Sequence, residues 1–180
     1  MNYEKTKFRS LLDNFGKRKI VGSNDIKFSF ILATVLVLIA THLNILDITI
    51  NLICPQFITV SSALIAIIIA GLAIVVSISD DNFILMLKTA KVYDKILFLF
   101  YYATMLSGFS IVANIIAYAT SKNMGHIIFN IQFGTIIFMI LLWLSTFLAL
   151  YSLFSVILLV GTIMRYGLYR GAFIEMNNKK

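Results

Sequence analysis

Lys88, Lys91 and Lys95 follow one another at spacings of 3 and 4, so on a helix they share one face. Two adjacent aspartates, Asp80 and Asp81, precede them, and Arg165 and Arg170 stand near the C-terminal end. Clustered cations hold phosphate-rich anions through charge-assisted hydrogen bonds. Lys88, Lys91, Lys95, Arg165 and Arg170 are therefore candidates for binding an anionic, nucleotide-like ligand. The same lysine face also suits anionic phospholipids, since each basic residue near a membrane surface contributes about 1 kcal/mol of attraction. Both readings stay open at the level of sequence.

Other chemistry is sparse. The two aspartates have no metal partner around them and read as a helix cap, a carboxylate accepting from the first free amides of a helix. Cys54 is the one cysteine, which excludes an internal disulfide and a cysteine-built metal cage. His42 and His126 lie far apart, without ligand spacing. His42, close to Thr41 and Asn44, reads as a satisfied polar contact rather than a proton site. No nucleophile–base pair, zincin motif or phosphate-cradling glycine loop occurs, so neither catalysis nor a cofactor or metal is expected.

What must position the cations is a membrane domain. Of 180 residues, 60% are hydrophobic and 13% charged, with a mean hydropathy of +0.94; soluble domains run nearer half and a quarter. Apolar spans are expected at 28–46, 59–78, 96–119 and 127–150, the last with an apolar extension to 164, and each must be helical to satisfy its backbone in lipid. The expected fold is an all-α integral membrane protein. It has four transmembrane helices, a short amphipathic helix between spans 2 and 3, and a long fourth helix. Residues 1–27 form a basic amphipathic segment, with Phe8, Leu11, Leu12 and Phe15 on its apolar face. Residues 28–164 form the membrane domain, and residues 165–180 a basic tail. The first span is read as uncleaved, because its apolar run is too long for a signal peptide.

The connections alternate sides, with 47–58 and 120–126 opposite the termini and residues 79–95. All fifteen Lys and Arg except Lys122 fall on the side of the termini. The positive-inside rule therefore places both termini in the cytoplasm. The net charge of +7 is thereby accounted for without duplex nucleic acid.

Residues 127–164 carry no charge, and as one helix would reach about 57 Å, against a hydrocarbon core of about 30 Å. Such an extension needs protein or lipid around it, which points to a homo-oligomer or a close cytoplasmic partner. Small residues recur at helical spacing in three spans. Ser62, Ala66, Ala70, Ala73 and Ser77 are read as a packing stripe of the second. Ala103, Ser107, Ser110, Asn114 and Ala117 repeat the pattern in the third, and Gly134, Ser145, Ala149, Ser152 and Ser155 in the fourth. Close helix packing accounts for such stripes. The alternative is that the fourth, with Asn130, Gly134, Ser145, Ala149, Ser152 and Ser155, lines a conduction path around an oligomer axis. No Asp, Glu, Lys or Arg lies deep in a span, which argues against an ion-coupled carrier.

The run "ALIAIIIAGLAIVVSISDDNFILMLK" resembles small bacterial four-span membrane effectors of anti-phage defence, the Hailong type, with a pattern match over roughly residues 63–118. The resemblance implies a homo-oligomer, such as a tetramer. It also implies control by an oligonucleotide signal, of the cyclic class, from a partner nucleotidyltransferase, and depolarisation of the inner membrane. The leading expectation is an oligomeric inner-membrane channel or pore-type effector gated from the cytoplasm by an anionic ligand. A non-conducting membrane anchor and a holin-like toxin are the alternatives.

Overall fold

The computed structural model describes residues 24–78, 81–89, 92–123 and 131–178. Every secondary-structure element among them is a helix. In chain order these are α1 (Asn24–His42), α2 (Leu46–Ile78), α3 (Asp81–Thr89), α4 (Val92–Asn123) and α5 (Ile131–Asn178). Four of them, all but α3, are long and apolar enough to cross a membrane, so the chain is a multi-pass membrane protein built as a helical bundle.

α1 ends in a Schellman turn. Asn44 takes a positive φ of 55°, the Asn44 amide donates to the Thr41 carbonyl, and the Ile45 amide reaches back to Ala40. The chain reverses within three residues, and α2 begins at Leu46. This corrects the connection expected at 47–58, which is helical throughout and contains Pro55. Asp47, Asn51 and Pro55 look like loop residues, but their spacing of 4 and 4 puts them on one helix face. That face meets α4, where Asp47 Oδ1 accepts from the Ser121 hydroxyl (2.6 Å) and the Asn51 amide (3.1 Å). The last helix also departs from its expected end: α5 continues unbroken for 48 residues, about 72 Å, through the segment read as a tail.

Side-chain pairs define the directions. Cys54 faces Ser145 and Val75 faces Tyr166, so α2 and α5 run parallel. Ser61 faces Ser110 and Asn51 faces Ser121, so α4 is antiparallel to α2. α1 leans mainly on α5, through Trp143 Nε1 donating to Thr34 (3.0 Å) and the edge of Phe30 against the indole.

Two apolar clusters fill the interior. One holds Val37, Ala40, Ile50, Cys54, Ala117 and Leu142. The other, at the end carrying α3, contains Ile68, Val75, Phe83, Phe100, Val156 and Leu159, and no residue of α1. We call this second end the basic end, because Lys88, Lys95, Arg165 and Arg170 belong to the elements that meet there. α3 turns its apolar face into the bundle: Phe83 is 1% exposed and packs on Tyr166 and Phe173 at 5.3 and 5.5 Å between ring centroids. The aspartate cap is only partly visible, since Asp80 lies outside the described residues and Asp81 opens the helix.

Candidate functional site

Between the two apolar clusters lies a layer of buried polar side chains. On α2, Ser61 falls between Cys54 and Ile68. On α4, Ser107, Ser110 and Asn114 fall between Ala103 and Ala117; on α5, Ser145, Thr146 and Ser152 fall between Leu142 and Val156. Ser107, Ser110, Asn114, Ser145, Thr146 and Ser152 are 0% exposed. Three helices thus place hydroxyls and one carboxamide within a zone of about two helical turns, with apolar clusters on both sides.

Part of the layer is tied together. Ser61 Oγ and Ser110 Oγ are 3.0 Å apart, the Asn114 amide donates to the Ser110 carbonyl (2.8 Å), and Cys54 Sγ lies 3.9 Å from Ser145 Oγ. Ser145 and Ser152 each donate back to a carbonyl of their own helix, as exposed hydroxyls such as Thr59 and Ser62 also do. Ser107 Oγ, Thr146 Oγ1 and Asn114 Oδ1 are different: among the described residues they have no hydrogen-bond partner. A buried polar group without a partner costs about 1–3 kcal/mol, so three of them between the two apolar clusters mark a zone where water or another polar species would be welcome. At the margin of the layer, the Tyr102 and Tyr151 hydroxyls meet at 2.6 Å. From Tyr151 an aromatic ladder climbs α5 through Phe147 to Trp143, with ring centroids 5.9 and 5.4 Å apart.

The small-residue stripes separate on this geometry. The α4 stripe, Ala103, Ser107, Ser110, Asn114 and Ala117, is buried along its whole length. The α2 stripe is not a packing face within the chain: Ser62, Ala66, Ala70, Ala73 and Ser77 are all exposed. The buried face of α2 is instead Ser61, Ile68 and Val75, because the space toward α4 and α5 is filled by bulky neighbours such as Phe100. Gly71 provides close approach there, and a Cβ on it would stand 2.8 Å from Ile163 Cδ1. On α5, Ser145, Ala149 and Ser152 are buried and Ser155 partly so. Ser145 faces Cys54 on α2 of its own chain. Asn130 lies outside the described residues, and Gly134 lies in the first turns of α5.

The cationic candidates gather at one end without forming a closed pocket. Lys88, Lys95 and Arg165 are exposed, and Lys88 Nζ stands 5.6 Å from the Tyr93 ring centroid, a cation–π distance. Arg170 is partly buried beside the last turns of α2. Lys91 lies outside the described residues. His42 is exposed at the end of α1. No cluster of metal-ligating side chains occurs among the described residues.

Sequence reasoning placed the polar residues of α4 and α5 on faces, but missed Ser61, Thr146 and the Asp47–Asn51–Ser121 knot. Ser61 stands next to the more regular Ser62 stripe, and Thr146 next to Ser145. Helical spacing alone does not say which neighbour turns inward. Comparison of the chain with protein-family models, curated proteins and solved structures finds no match.

Proposed function

We propose that this chain is a channel or pore-type effector of a bacterial inner membrane, gated from the cytoplasm by an anionic ligand, whose opening depolarises the membrane in anti-phage defence. The observation that carries the reading is the buried polar layer, with Ser107, Thr146 and Asn114 holding unpartnered polar atoms between two apolar clusters. Helices that need only to pack closely can do so with Ala and Gly. Hydroxyls and an amide at that depth serve a path that wets when the helices part, and the apolar clusters keep it dry when closed. On this reading the path runs within each bundle, lined by α2, α4 and α5.

The charge asymmetry supports both termini lying in the cytoplasm. Lys88, Lys95 and Arg165, with Lys91 between α3 and α4 in the sequence, give that side a cationic surface for a nucleotide. A cyclic oligonucleotide from a partner nucleotidyltransferase is the signal that the Hailong-type resemblance implies. The homo-oligomer it implies, a tetramer for example, has an available contact face in Ser62, Ala66, Ala70, Ala73 and Ser77. Exposed apolar residues on α2 run from Ile48 to Val76, about 42 Å along the helix. That exceeds the hydrocarbon thickness of about 30 Å, so cover beyond lipid is of use.

A membrane-potential dye in cells expressing the chain with its neighbouring genes tests the reading. Wild type is expected to depolarise on stimulation, Asn114→Leu to do so much less, and Lys88→Glu with Lys91→Glu to insert normally but lose regulation. An unchanged potential under every condition sinks the conduction reading. Toxicity without any stimulus would favour a holin-like toxin. A second reading, a non-conducting anchor, is favoured by α5 itself. The helix carries exposed Leu168, Tyr169 and Ile174 beyond the apolar span, a face on which a cytoplasmic partner can dock.

A further inference from the structure

At the basic end, α5 runs on past the last turn of α2, and the step between them leaves a groove of about 340 Å³. That is the lower end of the range for ligand sites, about 300–1,000 Å³. Ile74 of α2 and Ile163 and Ile174 of α5 form its apolar walls. Tyr166 braces it, its hydroxyl donating to the Val75 carbonyl at 3.3 Å. Gly167 and Gly171, one helical turn apart, open the space, since a Cβ on either would meet nothing within 4 Å. Arg170, partly buried, is the one charged side chain in the lining.

The depth of this groove narrows its ligand. It sits where the apolar run of α2 gives out and the basic residues begin, which is the boundary between hydrocarbon and headgroups for a helix crossing the bilayer. A guanidinium there forms bidentate hydrogen bonds with a phosphate, and the isoleucine walls match an alkyl chain. A nucleotide would need several donors, and the only side-chain hydroxyl in the lining, that of Tyr166, already serves Val75. A helix from a second copy, about 10 Å across, is too thick for a space of this size.

We propose that this groove holds one anionic phospholipid, with an acyl chain along Ile74, Ile163 and Ile174 and the phosphate on Arg170. The proposal rests on membrane insertion and not on conduction. A bound lipid here would wedge α2 against the α5 extension and couple the packing of the basic end to the charge of the leaflet.

Native mass spectrometry of the full chain, released from detergent after incubation with defined lipids, tests it. Phosphatidylglycerol is expected to leave one retained adduct per chain, and phosphatidylcholine with the same acyl chains at least tenfold less. Arg170→Gln should lose the adduct by removing the charge. Gly167→Leu should lose it by filling the groove while the charge remains, and the open space at that position lets the variant fold. Lys122→Gln, a charge removed at the opposite end, should bind as wild type does. Equal retention of phosphatidylcholine, or an adduct untouched by Gly167→Leu, overturns the proposal. So does retention of glycerol phosphate as strong as that of the lipid, which would mean a free-phosphate site. A fall in oligomer size in Gly167→Leu, with lipid content unchanged, would assign the groove to a second copy and also overturn it. The adduct is counted without any current, so its loss or survival is read apart from the depolarisation assay.

Discussion

Ser61 Oγ and Ser110 Oγ meet 3.0 Å apart at the centre of the α2–α4 contact, with 1% and 0% of their residues exposed. This pair belongs to a layer in which Ser107 Oγ, Thr146 Oγ1 and Asn114 Oδ1 have no hydrogen-bond partner among the described residues. The contrast between satisfied and unsatisfied hydroxyls in this layer can be read experimentally.

For the tied pair, Ser61→Ala and Ser110→Ala should each lower stability, and the double variant should lose less than their sum. A coupling of about 0.6 kcal/mol is expected for a hydrogen bond inside a helical membrane bundle. Equilibrium unfolding in mixed micelles measures the cycle, and strict additivity would mean that the two hydroxyls do not interact.

Thr146→Val should behave in the opposite sense. It removes a buried hydroxyl without a partner while keeping a branched side chain, so stability should hold or rise by up to about 1 kcal/mol, and depolarisation should weaken. A loss greater than 1 kcal/mol would show that the hydroxyl is hydrogen-bonded in the working protein.

Gly71 is a place where α2 comes close to both α4 and α5. Its Cβ position lies 2.8 Å from Ile163 Cδ1 and 3.4 Å from Phe100 Cε1. Gly71→Ala should cost about 1 kcal/mol, at the low end for overpacking, because a terminal methyl can turn aside. Ile163→Val, which removes that methyl, should recover most of the loss when combined with Gly71→Ala. Thermal unfolding of the two single variants and the double variant gives the answer, and absence of rescue would place the strain on Phe100.

α3 should be held by Phe83. Removing a buried ring costs about 3–5 kcal/mol, enough to undock a helix of 9 residues. Phe83→Ala is expected to make residues 81–89 sensitive to limited proteolysis, whereas Leu85→Ala, at a position 66% exposed, should leave them protected. Equal resistance in both would show that α3 is held by something other than its contact with Tyr166 and Phe173.

Much of this architecture is legible in the chain. The Phe83, Leu87 and Lys88 pattern announces α3 and its buried face, and the uncharged run from 127 to 164 announces a helix longer than a bilayer is thick. The helix over 47–58 was hidden because Asp47, Asn51 and Pro55 have the composition of a loop. Their helical spacing is informative only once Ser121 is seen to supply a partner. Thr146 and Ser61 were hidden by more regular neighbours.

Hydropathy and charge by themselves determined that this is a membrane protein with four spans, a basic end and an amphipathic helix between spans 2 and 3. Apolar transfer and the placement of lysines depend on each segment's own residues, whatever it packs against. Which small residues turn inward was decided only by the tertiary structure. Ser61 and Ser62 stand one residue apart, about a quarter-turn around the helix, and lipid accepts either face. The inward face of α2 was selected by the bulk of Phe100 on α4 and by Ile163 on α5, which left Ser61, Ile68, Gly71 and Val75 inside. The same packing enclosed Ser145, Ala149 and Ser152 within one chain, and so gathered the polar layer where the spacing along any single helix could not show it.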